Sequence, residues 1–495
     1  MGGSQLEPAR ADLDAPPPAD RRVLAASAVL TTGAFLALLD TTVASVAVNR
    51  IARQFGSPLT TVSWVMTGYG LAVAAGIPLS GWLMDRLGGR RAWMLTTAGF
   101  LVASAFAGVS WSIGALIAFR VLQGFTGGLI EPISQAMISR TAGRRRVTRV
   151  LAFAQLIIML APVSGPAVGG ALLQIVSWRW LFFLNIPIGI VVLLLARRLI
   201  PADDMHLSDK ARLDAVGLGL LSPGAAFMVY GFSRIVDSGM GSSGFLVPAA
   251  IGTALLVGYG VHASRTRHEP IIDLRLFANR QFINCAVALF FLGFTLAGGL
   301  FLVPLQGHLV VGTHDLGSGL LVVPQGLGAL LVLPLLGTLL DRYDARVIAP
   351  AGMALAGVST LIYSQLDAGT SPWIMGCLML VRGFGTGSTF APALGAAYQV
   401  IDEKAIGRAT SALFVLLQLG ATIGTACTAL VLSNRMTHLV SGVSVKSTVP
   451  AFNPANVAPL SVAFNQTFLV VAATCFIPVA AALFTAGRYK PAESG

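Results

Sequence analysis

Charge is what this 495-residue chain has least of. Asp, Glu, Lys and Arg make up 11% of it, against about 25% in an ordinary soluble domain. With 55% hydrophobic residues and a mean hydropathy of +0.77, too little polar surface remains to coat a globule of this length, so lipid must solvate most of it. Cysteine is scarce too. Cys285, Cys377, Cys427 and Cys475 lie far apart, each within an apolar run, with no CxxC or Cys/His spacing, so buried small hydrophobes are expected, with no disulfide and no metal. None of the four lysines follows a glycine. The phosphate loop Gly-x-x-x-x-Gly-Lys-[Ser/Thr] is therefore missing, and ATP-driven work by this chain alone is disfavoured. No clustered nucleophile, base or metal ligands point to an enzyme, and no cofactor is expected. Intramembrane charges are too sparse for a channel ring. His308 and His314 read as loop residues.

What is present is a series of long apolar runs. A helix needs about 20 apolar residues to cross the hydrocarbon core. That ruler predicts spans near 23–48, 60–83, 92–110, 113–138, 148–173, 179–198, 213–234, 245–262, 282–305, 316–340, 347–366, 373–396, 407–432 and 463–486. The first run, from Val23, is too long for a signal-peptide core and reads as a spanning helix. With the N-terminus inside, 25 of the 33 Lys and Arg fall on the cytoplasmic side, six on the outer side, and two, Arg120 and Arg382, within spans. The positive-inside rule thus assigns both tails, 1–22 and 487–495, to the cytoplasm of a multi-pass protein. The formal net charge of +12 follows from this topology. No basic patch with interleaved aromatics suggests nucleic acid.

The chain repeats itself. Gly81-Trp-Leu-Met-Asp85-Arg86-Leu recurs as Gly337-Thr-Leu-Leu-Asp341-Arg342-Tyr, and Gly124-Phe-Thr-Gly-Gly resembles Gly383-Phe-Gly-Thr-Gly. Two matches at nearly one offset predict an all-α membrane protein made of two six-helix bundles, 23–198 and 282–486. A two-helix insertion, 199–281, joins them, and an outer loop spans 433–462. Duplicated halves place a binding site between them near the midplane.

These motifs resemble the major facilitator superfamily, specifically its fourteen-span drug:proton antiporter branch, over nearly the whole chain. Leu39-Asp40-Thr41-Thr42-Val43 resembles that branch's acidic span-one motif. Gly81-Trp82-Leu83-Met84-Asp85-Arg86-Leu87-Gly88-Gly89-Arg90-Arg91 is similar to the superfamily's cytoplasmic loop signature. Arg120-Val121-Leu122-Gln123-Gly124-Phe125 is like its proton-linked arginine motif. Ser164-Gly165-Pro166-Ala167-Val168-Gly169-Gly170 resembles the antiporter signature, and Trp178-Arg179-Trp180 and Phe183-Leu184-Asn185-Ile186-Pro187 follow it. Three positions depart from the pattern: Ala161 replaces a glycine, Leu417 stands where arginine is common, and Glu131 stands where relatives carry an apolar residue. The resemblance implies export of amphipathic compounds, driven by inward proton flow, from a monomer in the inner membrane, with the small-molecule substrate, protons and the bilayer as partners. A dedicated exporter of one metabolite or antibiotic shares this scaffold. A non-transporting membrane sensor would not need the buried charges.

Residue by residue, Asp40 and Arg120 fall at one depth and should face each other, directly or through Gln123. An intramembrane charge costs about 2.5–3.5 kcal/mol and seeks a partner or a wet cavity. The pair either couples a proton to the change of state or simply locks two helices. Glu131, eleven residues or about three turns after Arg120, shares its face, and is either a proton carrier or cation site, or a neutral acid bonded to Gln135 or a neighbouring helix. Gln123, Gln155, Phe290, Phe294 and Arg382 are candidate cavity residues; the phenylalanines could equally meet lipid, and Arg382 has no obvious acidic partner. In the loop motif, Gly81, Gly88 and Gly89 should allow a tight turn. Asp85 should accept from helix-end N–H groups or an Arg across the half interface, closing an inner gate with Arg86, Arg90, Arg91, Asp341 and Arg342. Gly165, Pro166, Gly169 and Gly170 predict a kinked, closely packed helix.

Overall fold

The computed structural model describes residues 21–144, 146–201, 213–266, 269–312, 321–366, 369–439 and 456–486. Among them there is no strand. The helices are α1 (Arg21–Phe55), α2 (Leu59–Val62), α3 (Trp64–Gly76), α4 (Leu79–Leu87), α5 (Gly89–Gly108), α6 (Ile113–Ala142), α7 (Val147–Ile175), α8 (Arg179–Phe183) and α9 (Asn185–Leu199). After these come α10 (Ala215–Ser238), α11 (Ser243–Arg265), α12 (Arg280–Gln306), α13 (Val323–Arg342), α14 (Ala345–Tyr363), α15 (Pro372–Gln399), α16 (Ile406–Leu439) and α17 (Val457–Ala486).

Helix is found at every one of the fourteen apolar intervals. Among the described residues, eleven helices can cross a membrane by length and composition, and α3 with α4 makes a twelfth as a pair bent by 55°. α5 and α7 occupy the two other intervals. The protein is thus a multi-pass membrane protein. The bend falls at Ile77-Pro78, where proline supplies no backbone donor. The α4–α5 break falls at Gly88, with φ +81°, a conformation open to glycine. Polar caps start several helices: Ser112 accepts from the Ala115 N–H, and Asn279 from Gln281 and Phe282. The expected outer loop is shorter than predicted, because α16 continues to Leu439 and α17 begins at Val457; residues 440–455 of that loop lie outside the described residues.

Glycines set the helix spacing, and they repeat. A Cβ on Gly124 or Gly128 of α6 would strike the carbonyl oxygens of Tyr69 or Val73 on α3. In the second half, one on Gly383 or Gly387 of α15 would strike the backbone of Gln325 or Ala329 on α13. The bundle α1–α9 is therefore matched by α12–α17, helix against helix, giving the two-halved major-facilitator architecture. Between them, α10 packs against both α3 and α16, with Tyr230 stacked on Trp64 at 5.8 Å. The inserted hairpin thus lies along one seam between the halves.

Two expectations need correction here. Gly81 does not serve the turn. It sits within α4 facing Gly407 and Arg408 of α16, where its Cβ would lie 2.9 Å from the Arg408 Cα, so it permits the halves to touch. Gly89 opens α5 beneath the Met137 side chain. Nor are all four cysteines buried: Cys377 is exposed and Cys427 half-buried, while Cys285 and Cys475 are buried.

Candidate functional site

The polar centre of the first half is built by α1, α3, α6 and α9. Asp40 Oδ2 accepts from Arg120 Nη1, in an ion pair that is essentially inaccessible to solvent. Asp40 Oδ1 accepts from Gln123 Nε2 at 3.0 Å and from Asn185 Nδ2 at 2.8 Å. Gln123 Oε1 accepts from Arg120 Nη1 at 2.8 Å, and Arg120 Nε donates to the Val65 carbonyl at 3.2 Å. The guanidinium lies 4.1 Å from the Tyr69 ring centre, and Tyr69 in turn donates to the Ala37 carbonyl. Three donors on one carboxylate fix its position.

The sequence expectation placed this pair around a wet cleft. The structure instead seals it: Asp40 is 3% exposed, and Arg120 and Gln123 are fully buried. The covering comes from Tyr69 on one side and from Asn185, itself bonded to Ser104 at 3.1 Å, on the other. Gln123 therefore belongs to the pair's own network and not to an open cavity. Asn185 and Tyr69 were missed as partners; an Asn inside the apolar run 179–198 was the available signal.

Arg382 is equally buried in the second half. It donates to Thr360 Oγ1 at 3.1 Å, to Gln325 Oε1 at 2.5 Å and to the Thr295 carbonyl at 2.6 Å. Carbonyl and hydroxyl oxygens satisfy it without a carboxylate, so it too does not line an open cavity. Phe294 is buried, and its backbone backs onto Gly424 as that of Phe290 backs onto Gly420. Phe290 is half-buried, and both rings stand against that of Phe291, at 5.1 and 6.2 Å between centres. Gln155 is buried, with Oε1 unpartnered among the described residues. Glu131 is half-buried. Gln135 is not its partner, since both amide atoms of Gln135 lack a hydrogen bond among the described residues.

At one end of the molecule the halves meet. Asp85 Oδ2 accepts from Arg408 Nε at 2.9 Å, and Arg408 also pairs with Glu269 of the inserted segment. Reciprocally, Asp341 Oδ1 accepts from Arg149 Nη2 at 2.5 Å. Arg144 donates to the Ile401 carbonyl at 2.9 Å, and Ser411 Oγ to the carbonyls of Ile77 and Pro78 at 3.0 and 3.1 Å. Arg90 donates to the Arg197 carbonyl within its own half. Arg86 is exposed, as are Arg91 and Arg342, which pair with no carboxylate among the described residues. Long side chains beside a helix end, such as those of Arg91 and Arg342, reach water more cheaply than a partner.

Gly165 packs on Thr42 and Gly169 on Val43, so α7 and α1 do approach closely. Gly170 meets nothing within 4 Å and is not part of that contact. The Pro166 side chain lies outside the described residues.

Two helical halves, with a sealed ion pair in one and an ion-paired closure between them, are the frame of a membrane transporter. The chain belongs to the Major Facilitator Superfamily, whose sequence model matches residues 30–425. It is 34% identical over 458 residues to the Multidrug resistance protein B homolog of Mycobacterium tuberculosis, covering 88% of this chain and 84% of that one. It is 28% identical over 436 residues to the Multidrug export protein EmrB of Escherichia coli, covering 86% and 83%. In fold it is similar to the proton:xylose symporter XylE, with a TM-score of 0.63 and 14% identity over 94% of this chain and 95% of that one.

Proposed function

We propose that this chain is a proton-coupled antiporter that exports small amphipathic or cationic compounds across the inner membrane by alternating access. It would act as a monomer with fourteen spans and both termini in the cytoplasm. The observation that carries the reading is the sealed Asp40–Arg120 pair, a charge arrangement that stability alone does not favour. The names of the relatives support a multidrug substrate range, and the basic Asp85 end fits the cytoplasmic face.

The geometry suggests how a proton acts. Ionised Asp40 ties α1 to Arg120 and Gln123 of α6 and to Asn185 of α9. A protonated carboxyl can accept less and no longer attracts the guanidinium, so α1 is released from α6 and α9. Arg120 keeps the Val65 carbonyl and the Tyr69 ring, which tie it to α3. Since α4 carries Asp85 and follows α3 through the Pro78 bend, movement of α3 would reach the closure between the halves. On this reading the present arrangement, joined at the Asp85 end, is closed toward the cytoplasm. Glu131 is the second proton-responsive group, and Gln155, which faces the second half from α7, belongs to the substrate path.

The test is accumulation of a lipophilic cation in cells carrying wild type or Asp40→Asn, with and without a proton uncoupler. Wild type should lower accumulation only without uncoupler, and Asp40→Asn should not lower it at all. Export by Asp40→Asn that an uncoupler still abolishes would overturn the role of Asp40.

A further inference from the structure

Glu131 sits at the meeting of three helices. On α6, Ile130 and Ser134 face α1: Gly33 packs on the Ile130 side chain, and Ser134 Oγ donates to the Leu30 carbonyl at 2.9 Å. Gly128 faces α3 at Val73. Glu131 lies between these two faces and so points into the groove that α1 and α3 leave toward the second half. α3 and α6 run parallel, with Gly128 beside Val73 and Gly76 beside Phe125, so Glu131, six residues beyond Phe125, lies level with the bend at which Ser411 bonds Ile77 and Pro78. Glu131 is therefore just inside the closure between the halves.

Two amides join it. Gln135 is one turn further along the same face, fully buried, with Nε2 and Oε1 both unpartnered among the described residues. Gln155 on α7 is two turns beyond Thr148, whose side chain meets Gly395 of α15, so it too faces the second half. α7 runs parallel to α1, with Thr42 bonded to the Ala161 carbonyl. Gln155, six residues before Ala161, is therefore level with Leu36, within a turn of the Gly33–Ile130 contact. Its Oε1 is unpartnered as well. Buried polar atoms in a folded protein are almost always satisfied, and orphaned amides at the depth of one carboxylate, on helix faces turned to the second half, point to a ligand.

The charged groups on every neighbouring element have other partners or stand apart. On α1 and α6, Asp40 and Arg120 bond one another, about 16 Å away along the helix. Arg140 lies nine residues toward the closed end. On α4 and α16, Asp85 and Arg408 are paired, and on α7 Arg149 is paired with Asp341.

Resting on the export reading above, we propose that Glu131, Gln135 and Gln155 form a subsite for the head of an alkylammonium substrate, and that this head and a proton compete for the same carboxylate. The Glu131 carboxylate and the two Gln Oε1 atoms offer three acceptors, which match the three N–H donors of a primary ammonium. A proton alone would use one of them. Protonated Glu131 takes up R–NH3+, the O–H bond breaks, its electrons stay on the carboxylate, and one H+ leaves to water. Proton and substrate then exchange at one site without occupying it together.

The test uses the purified full-length protein with octylammonium and octyltrimethylammonium, the second of which has no N–H to donate. Calorimetry in buffers of different ionisation enthalpy reads affinity and proton release together. Wild type should bind octylammonium at least about tenfold more tightly than the quaternary ion and release a proton on binding. Glu131→Gln should abolish both the preference and the release. Gln135→Met and Gln155→Met should reduce the preference, with octylammonium weakened more than the quaternary ion. If Gln135→Met does not fold, as judged by thermal unfolding, Gln155→Met carries the test. Equal affinity for the two ions in wild type, or proton release that survives in Glu131→Gln, would overturn the subsite. Proton release in wild type without proton-driven transport in proteoliposomes would leave the subsite standing and remove the antiport reading instead.

Discussion

Arg408 Nε donates to Asp85 Oδ2 at 2.9 Å across 323 residues of sequence, and the internal repeat supplies its counterpart. Asp85 and Asp341 are 256 residues apart and Arg149 and Arg408 are 259 apart, so each half offers one aspartate and one arginine to the other. The two ion pairs are reciprocal across the pseudo-twofold axis. They differ in burial: the Asp85–Arg408 side chains are 11% and 19% exposed, the Asp341–Arg149 side chains 40% and 32%.

That difference predicts unequal effects. An exposed ion pair contributes about 0–1 kcal/mol, and a more buried one contributes more when only one partner is removed. Asp85→Asn should therefore favour the state open at the Asp85 end, raising labelling of a cysteine at Ser411 by a membrane-impermeant thiol reagent applied to inside-out vesicles. Asp341→Asn should raise it little. Equal labelling of the two variants would contradict this ordering.

Gly81 gives the same closure a steric requirement. Its Cβ would meet the Arg408 Cα at 2.9 Å, and backbone cannot yield as a flexible side chain does. Gly81→Val should open the Asp85 end more than Asp85→Asn does, with the unfolding temperature nearly unchanged, because the clash lies between the halves and not within one. A large loss of thermal stability without a change in labelling would show that the contact serves folding instead.

The sealed ion pair should be sensitive to one-sided removal. Asp40→Ala leaves Arg120 buried without a counter-charge, and such a change costs about 3–5 kcal/mol. Pairing it with Arg120→Met should restore part of the lost thermal stability. Thermal unfolding of the purified single and double variants measures this, and a double variant less stable than Asp40→Ala would contradict the pairing.

Glycine contacts within each half separate packing from bystander positions. Gly383→Ala places a methyl against the Gln325 backbone, beside the Gln325 amide that holds Arg382. Overpacking of this kind costs about 1–3 kcal/mol. Gly170→Ala meets open space and should leave the unfolding temperature unchanged or slightly raised, since alanine favours helix.

The fold was legible because lipid makes its demands locally. Each apolar run had to become a helix, and the repeat around Asp85 and Asp341 showed that the helices come in two sets. The meeting of Asp40 with Arg120 was readable from depth alone. What depth cannot give is the azimuth of a side chain on its helix. Gln123, Phe294 and Arg382 lie at plausible depths for a cavity, yet each turns into the packing of its own half. The share of Asn185 in the Asp40 network was hidden for the same reason. The inter-half partners of Asp85 and Asp341 were hidden by sequence distance, because Arg408 and Arg149 read as ordinary loop cations.

The most direct measurement of the central claim is proton movement coupled to substrate in proteoliposomes. Wild type reconstituted with a pH-sensitive dye inside should move protons when a lipophilic cation gradient is imposed, and Asp40→Asn should move none while remaining folded. Proton movement by Asp40→Asn equal to wild type would contradict the account, because the carboxylate held by Arg120, Gln123 and Asn185 would then have no part in coupling.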